Sequence, residues 1–102
     1  MEYNLIKATK RDKIILHNMM QLYYYELSKY EDDSAIFELN ESGIYEIRYF
    51  DLYWTEETRY PYLLKEGEKN VGLALVRKRE DGYIEISEFF TYKKHTKNLI
   101  IR

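Results

Sequence analysis

Cysteine is absent from this 102-residue sequence, which contains one proline and four glycines. Without cysteine the chain can form neither a disulfide framework nor a zinc site built on thiolates. Its uninterrupted apolar runs are far shorter than the roughly 20 residues of a membrane-spanning helix, and no hydrophobic signal segment follows Met1. His17 has no second histidine or carboxylate at helical spacing. These absences predict a soluble, cytoplasmic protein without a metal site.

Charge of one sign is also lacking, because 16 basic and 18 acidic residues leave a net charge of −2. No overall field therefore attracts nucleic acid or an anionic membrane. A composition of 45% hydrophobic and 33% charged residues is typical of one globular domain. Because so short a chain buries a modest fraction of its surface, self-association is expected.

The first half of the chain predicts one strand followed by two helices. Residues 2–8 have the pattern of a short strand. Thr9 can cap a long amphipathic helix over residues 10–30, whose apolar side chains recur at three- and four-residue spacing. The acidic residues 31–43 break that period and predict a surface loop. Residues 44–54 then have spacing suited to a second, shorter helix.

The second half predicts three strands joined by hairpins, over residues 60–65, 70–79 and 83–92. Residues 66–69 and the pair Asp81-Gly82 supply the two turns. The middle strand is apolar on both faces and small on one of them, which predicts a central position with close packing. The fold class is therefore α+β: one strand and two helices, then a three-stranded antiparallel meander.

Three stretches carry a resemblance to a known family. They read "IKATKRD" at residues 6–12, "YWTEETRYPYLLKEGEKNVGLALVRK" at residues 53–78 and "YIEISEFFTYKK" at residues 83–94. Together with the order of elements, they resemble the amino-terminal half of a GNAT-superfamily N-acetyltransferase. The resemblance implies transfer of acetyl from acetyl-CoA to an amine, with the donor between the fourth strand and a fifth.

The resemblance also implies where the donor binds. Backbone amides at a bulge in the fourth strand, near Phe89, Phe90 and Thr91, would hold its pantetheine arm. The family's pyrophosphate loop contains Gln or Arg, two residues, Gly, one residue, and Gly or Ala, whereas residues 96–101 read Thr-Lys-Asn-Leu-Ile-Ile. Side chains at these positions would block the approach of backbone amides to phosphate. With the family's remaining elements absent, residues 1–102 are expected to form a truncated domain with weak or lost activity.

Basic residues after the fourth strand offer a substitute for the loop. Lys93, Lys94 and Lys97 could attract the phosphates of acetyl-CoA as point charges, which need no close backbone approach. The alternative is a solvated terminal tail.

Glu88 is the candidate catalytic residue. Simple alternation places it on the face of Ile84, Ile86 and Phe90, where partial burial would suit a general base that deprotonates the amine. A bulge at residues 87–89 would reset the alternation and turn Glu88 outward. The alternative role is a structural or edge-protecting carboxylate.

Aromatic and acidic residues in the first half suggest an acceptor site. Tyr24, Tyr45, Tyr49 and Trp54, with the carboxylates of residues 31–33, could bind a cationic amine through ion pairing and cation–π contacts. The alternative is surface charge beside packed aromatic side chains.

A second functional class remains open. The fourth strand, exposed as a sheet edge, could pair with its own copy, which would make the chain a non-catalytic dimerising interaction module. On either hypothesis we expect a homodimer through this strand.

Overall fold

A computed structural model describes residues 2–31 and 35–91 and confirms the α+β class. Its four strands are Asn4–Lys7 (β1), Arg59–Glu66 (β2), Lys69–Lys78 (β3) and Ile84–Thr91 (β4). They form one antiparallel sheet in the order β1-β2-β3-β4. The α-helix, Lys13–Ser28 (α1), packs on one face of this sheet.

Helix α1 is shorter than residues 10–30 because a 3-10 turn precedes it. The turn comprises Lys10–Asp12, and the backbone N–H of Thr9 donates to the Asp12 carboxylate at 2.9 Å. Thr9 thus stands at the start of the helical segment, as predicted, and its N–H is bonded by Asp12, although the α-helix proper begins only at Lys13. No helix in residues 2–31 and 35–91 has the length and apolar character needed to cross a membrane.

The predicted second α-helix over residues 44–54 is wrong. Only Phe50–Trp54 is helical, as a 3-10 helix, and Tyr49 before it adopts the left-handed φ of 61°. The Gln21 side chain explains the start of the segment: its Nε2 donates to the Tyr45 carbonyl at 2.8 Å, and its Oε1 accepts from the Tyr45 N–H at 2.7 Å. Since these backbone groups bond to a side chain of α1, they cannot form a helix of their own.

The main core lies between α1 and the covered face of the sheet. Leu63, Leu73 and Leu75 from the strands meet Leu16 and Met20 from the helix, and all five side chains are at most 2% exposed. A smaller buried cluster on the opposite face contains Tyr3, Leu64 and Val71. We call this face the open face, because Ile84 and Ile86 lie exposed on it at the β4 end. Folding therefore places most of the buried apolar surface on one side of the sheet.

The small residues of β3 include one close backbone approach. A Cβ atom added at Gly72 would collide with the backbone oxygen of Phe90 in β4. The close neighbour predicted for this glycine is therefore the adjacent strand of the same sheet. The two hairpin turns also form as predicted, with positive φ at Gly67 and Gly82.

Candidate functional site

An extra residue interrupts the pairing of β4 with β3. Val76 of β3 pairs with Ile86, and the residue before it, Leu75, pairs with Glu88. Ser87 of β4 therefore has no partner of its own. Two residues of β4 thus oppose one step of β3, which defines a β-bulge. The bulge lies where the family resemblance places one.

The bulge changes which side chains share a face. Ile84 and Ile86 lie on the open face with 64% exposure each, whereas Glu88 and Phe90 lie on the covered face with α1. Each sequence prediction for Glu88 is correct in part. Glu88 is half-buried and shares a face with Phe90, but not with Ile84 and Ile86. The bulge is present at Ser87, but it turns Glu88 toward the helix and not outward.

A cavity of about 380 Å³ opens beside Glu88. It lies between α1, the segment that precedes β2, and the covered faces of β3 and β4. Its volume falls in the range of small-molecule sites. Six of its residues are polar or charged: Arg48, Arg59, Arg77, Glu85, Ser87 and Glu88.

Aromatic and apolar side chains form the rest of the wall: Met20, Tyr24, Tyr49, Tyr53 and Leu75. The Arg59 guanidinium lies over two of these rings, 5.2 Å from the Tyr53 centroid and 5.5 Å from that of Tyr49. Arg48 lies 5.4 Å from the Tyr49 centroid. The protein's own arginines therefore occupy the cation–π positions on these two rings.

The predicted acceptor aromatics separate into two places. Tyr24 and Tyr49 line the cavity, and Tyr45 is buried with its ring 5.9 Å from that of Tyr24. Trp54 is not among the cavity-lining residues, and its indole N–H donates to the Thr9 carbonyl at 3.0 Å. Of the predicted carboxylates, Glu31 is exposed, and Asp32 and Asp33 lie outside the described residues.

Ion pairs engage two of the three arginines. The Arg77 Nε lies 3.3 Å from an oxygen of Glu85, and the Arg59 Nε lies 3.2 Å from an oxygen of Glu56. In residues 2–31 and 35–91, neither Arg48 nor Glu88 belongs to an ion pair. The same residues contain no group of three or more His, Cys, Asp or Glu side chains suited to a metal ion.

The pKa values of two tyrosines of α1 depend on charged residues near the cavity. Burial, followed by a hydrogen bond to the Glu88 carboxylate, raises the pKa of Tyr23 well above its ordinary value. Burial also raises the pKa of Tyr24; the backbone amide of Arg48 lowers it, and the negative charge of Glu88 raises it. Hence Arg48 and Glu88 both lie within interaction range of the Tyr24 hydroxyl.

The predicted donor-binding residues fall on both faces of β4. Phe89 is 37% exposed, while the Phe90 ring lies 5.5 Å from that of Tyr23. Thr91, the last described residue, pairs with Gly72. Lys93, Lys94 and Lys97 lie outside the described residues.

Comparison with family models, curated proteins and solved structures gives no match for this chain. The function that we propose therefore rests on the bulge, the cavity and the sequence resemblance.

Sequence reasoning missed the charged residues of the cavity. Arg59 pairs with Arg77 and Arg77 with Glu85, so the three form one cross-strand row. The turn at residues 81–82 fixes the Arg77–Glu85 pair, and counting outward from that turn could have found it. The Arg59–Arg77 pair follows a register shift between Leu64 and Lys65, so counting from the turn at residues 66–69 would have missed it. For Arg48 the sequence contains no such signal, because its position depends on the left-handed backbone of Tyr49.

Proposed function

We propose that this protein is an N-acyltransferase of the GNAT type, which binds an acyl-CoA along bulged β4 and an amine in the adjacent cavity. The observation that supports the proposal is the bulge at Ser87, with Glu88 turned into the cavity beside it. A bulge leaves backbone groups outside the ladder, free to bond a ligand. The same bulge sets a carboxylate next to them.

The proposed reaction moves an acyl group from sulfur to nitrogen. The C–S bond of the donor breaks, a C–N bond to the amine forms, and the thiolate leaves. Glu88, directly or through a water molecule, accepts the proton that the amine loses. Backbone amides beside Ser87 orient the donor carbonyl.

Acetyl-CoA is the donor that the resemblance implies, and the backbone at the bulge fits the amide-rich pantetheine arm. When bound, acetyl-CoA would supply the activated acyl group. In the arrangement that the resemblance implies, Lys93, Lys94 and Lys97 would bind its phosphates.

Two variants at one position test donor binding. Deletion of Ser87 removes the residue without a partner and leaves the pairs on either side of it possible. Ser87→Ala keeps the extra backbone unit and removes only the hydroxyl. In calorimetric titrations with acetyl-CoA, we expect binding by the parent chain and by Ser87→Ala, and at least about tenfold weaker binding after the deletion.

The test separates the backbone from the side chain. Circular dichroism of the deletion variant checks that the sheet still forms. A parent chain that does not bind acetyl-CoA at millimolar concentration would contradict the proposal, as would a folded deletion variant that binds as well as Ser87→Ala.

A second candidate function is a dimerising interaction module, favoured by the exposure of Ile84 and Ile86 on β4. Within the described residues the strand order places β4 at the end of the sheet, and addition of a strand to a sheet end is a common mode of association. We expect a dimer in light scattering and a monomer after Ile86→Lys. A parent chain that is monomeric at high concentration would exclude this candidate and leave the acyltransferase proposal in place.

A further inference from the structure

The cavity holds two opposite charges that form no ion pair within residues 2–31 and 35–91. On one wall is Arg48, which is exposed and whose Nη2 lies 3.5 Å from the Tyr49 hydroxyl. On another is Glu88, which is half-buried and interacts with the neutral hydroxyl of Tyr23. A half-buried carboxylate is stabilised by an opposite charge, so Glu88 favours a cationic ligand atom, and Arg48 offers a positive charge to an anionic one.

A second arginine strengthens the positive side. The Arg59 side chain is only 15% exposed, and it uses Nε for Glu56. Its two Nη groups make none of the hydrogen bonds found within residues 2–31 and 35–91, and the residue lines the cavity. A guanidinium fixed in this way presents paired donors that match a carboxylate.

The two charges belong to one cavity of about 380 Å³. Arg48 and Glu88 both line it, together with Tyr24, whose hydroxyl interacts with both residues. Met20 and Leu75 supply an apolar part of the same wall.

We propose that the cavity binds an α-amino acid with an apolar side chain, with its carboxylate on Arg48 and Arg59 and its ammonium on Glu88. The assignment of this molecule as the acyl acceptor rests on the proposed function. The binding of the amino acid does not rest on the proposed function, because it requires no acyl-CoA. The apolar side chain would pack against Met20, Tyr24 and Leu75.

Matched ligands test the two charges separately. L-phenylalanine carries both charges, phenethylamine lacks the carboxylate and hydrocinnamate lacks the ammonium. L-leucine, isoamylamine and isocaproate form a second set. In NMR titrations of the whole chain without acetyl-CoA, we expect at least one amino acid to bind about tenfold more tightly than both of its analogues.

Variants then assign each charge to its residue. Arg48→Gln should bring the affinity for the amino acid closer to that for the amine, because Arg59 remains, and Glu88→Gln should reduce it to that for the acid. The exposed residues Arg11 and Glu68 supply the controls Arg11→Gln and Glu68→Gln, which should leave affinities unchanged. Amide spectra of each variant verify folding.

Several results would overturn the inference. They are no binding by any member of either set, an acid or amine analogue that binds as tightly as its amino acid, and equal losses in the control variants. Failure here with intact acetyl-CoA binding would remove the amino acid and keep the acyltransferase. Amino-acid binding without acetyl-CoA binding would keep the amino-acid site and remove the acyltransferase proposal.

Discussion

The two faces of the sheet differ in what covers them. On the covered face, Leu73 and Leu75 lie under α1 with at most 2% exposure, while Ile84 and Ile86 on the open face are 64% exposed. The even-numbered side chains of β4 occupy both faces, Ile84 and Ile86 the open one and Glu88 the covered one, since Ser87 shifts the alternation midway. The comparison shows that one inserted residue lets a strand expose isoleucines on the open face at one end and supply a carboxylate to the covered face further along.

The largest expected effect comes from the covered face. Leu73→Ala should lower the free energy of unfolding by about 2–5 kcal/mol, because it removes a fully buried side chain and leaves a cavity. Ile84→Ala on the open face is the matched control and should cost less than about 1 kcal/mol. Urea unfolding measures both. Equal losses would mean that the open face is covered as well, for example by a second copy of the chain.

Next in size is a change where β3 and β4 approach most closely. Gly72→Ala should cost about 1–3 kcal/mol, since its Cβ meets the backbone oxygen of Phe90 rather than a movable side chain. In the hairpin, a Cβ added at Gly82 would meet no other atom, but the φ of this residue is +89°. Gly82→Ala should therefore cost only the strain of a left-handed backbone, about 1–2 kcal/mol. Hydrogen exchange distinguishes them: only the Gly72 variant should deprotect the far half of β4.

A smaller effect concerns the link between α1 and the bulged part of β4. Tyr23→Phe removes the hydroxyl that interacts with the Glu88 carboxylate and should cost about 1–2 kcal/mol at neutral pH. Tyr25→Phe, exposed on the same helix, should cost little. Were the two losses equal in thermal unfolding, the bond would have no part in stability.

The same bond predicts a dependence on alkaline pH. The pKa of Tyr23 is raised in the native state, so its stabilising contribution is complete below the unfolded pKa of about 10. The contribution is lost as the pH rises from there through the native value, because only the unfolded chain first gains by releasing the proton. Tyr23→Phe should therefore show a shallower alkaline loss of stability than the parent chain.

The sequence was sufficient for the strands and insufficient for the cavity, and the reason is the range of the interactions. Turns at residues 66–69 and 81–82 are local, so β2, β3 and β4 lie within about two residues of their predicted bounds. The failed second helix depends on Gln21, which is 24 residues from Tyr45. No periodicity within residues 44–54 reports a side chain that distant.

Glu88 illustrates a different limit. Its presence in β4 was predictable, but its direction depends on whether one residue of the strand is left unpaired. Alternation counted from Ile84 reverses at Ser87, and nothing in the letters "IEISEFF" requires that reversal. The reversal is visible only in the pairing of the two strands, where Val76 pairs with Ile86 and Leu75 with Glu88.

The smallest expected change in stability is at Tyr49, where strain and binding oppose each other. Its left-handed φ of 61° costs a residue with a side chain about 1–2 kcal/mol, which Tyr49→Gly would recover. The same change loses two cation–π contacts worth about 0.5–1 kcal/mol each. We therefore expect a net difference within about 1 kcal/mol in urea unfolding.

Amino-acid binding should respond much more strongly than stability to this change. Without the Tyr49 ring, Arg48 loses the contact that orients it, while Arg59 keeps the Tyr53 ring and its ion pair with Glu56. Tyr49→Asn is the matched variant, because asparagine tolerates the left-handed backbone but provides no ring. If both variants unfold like the parent chain and bind as tightly, Tyr49 does not orient the arginines, and its strained backbone needs another explanation.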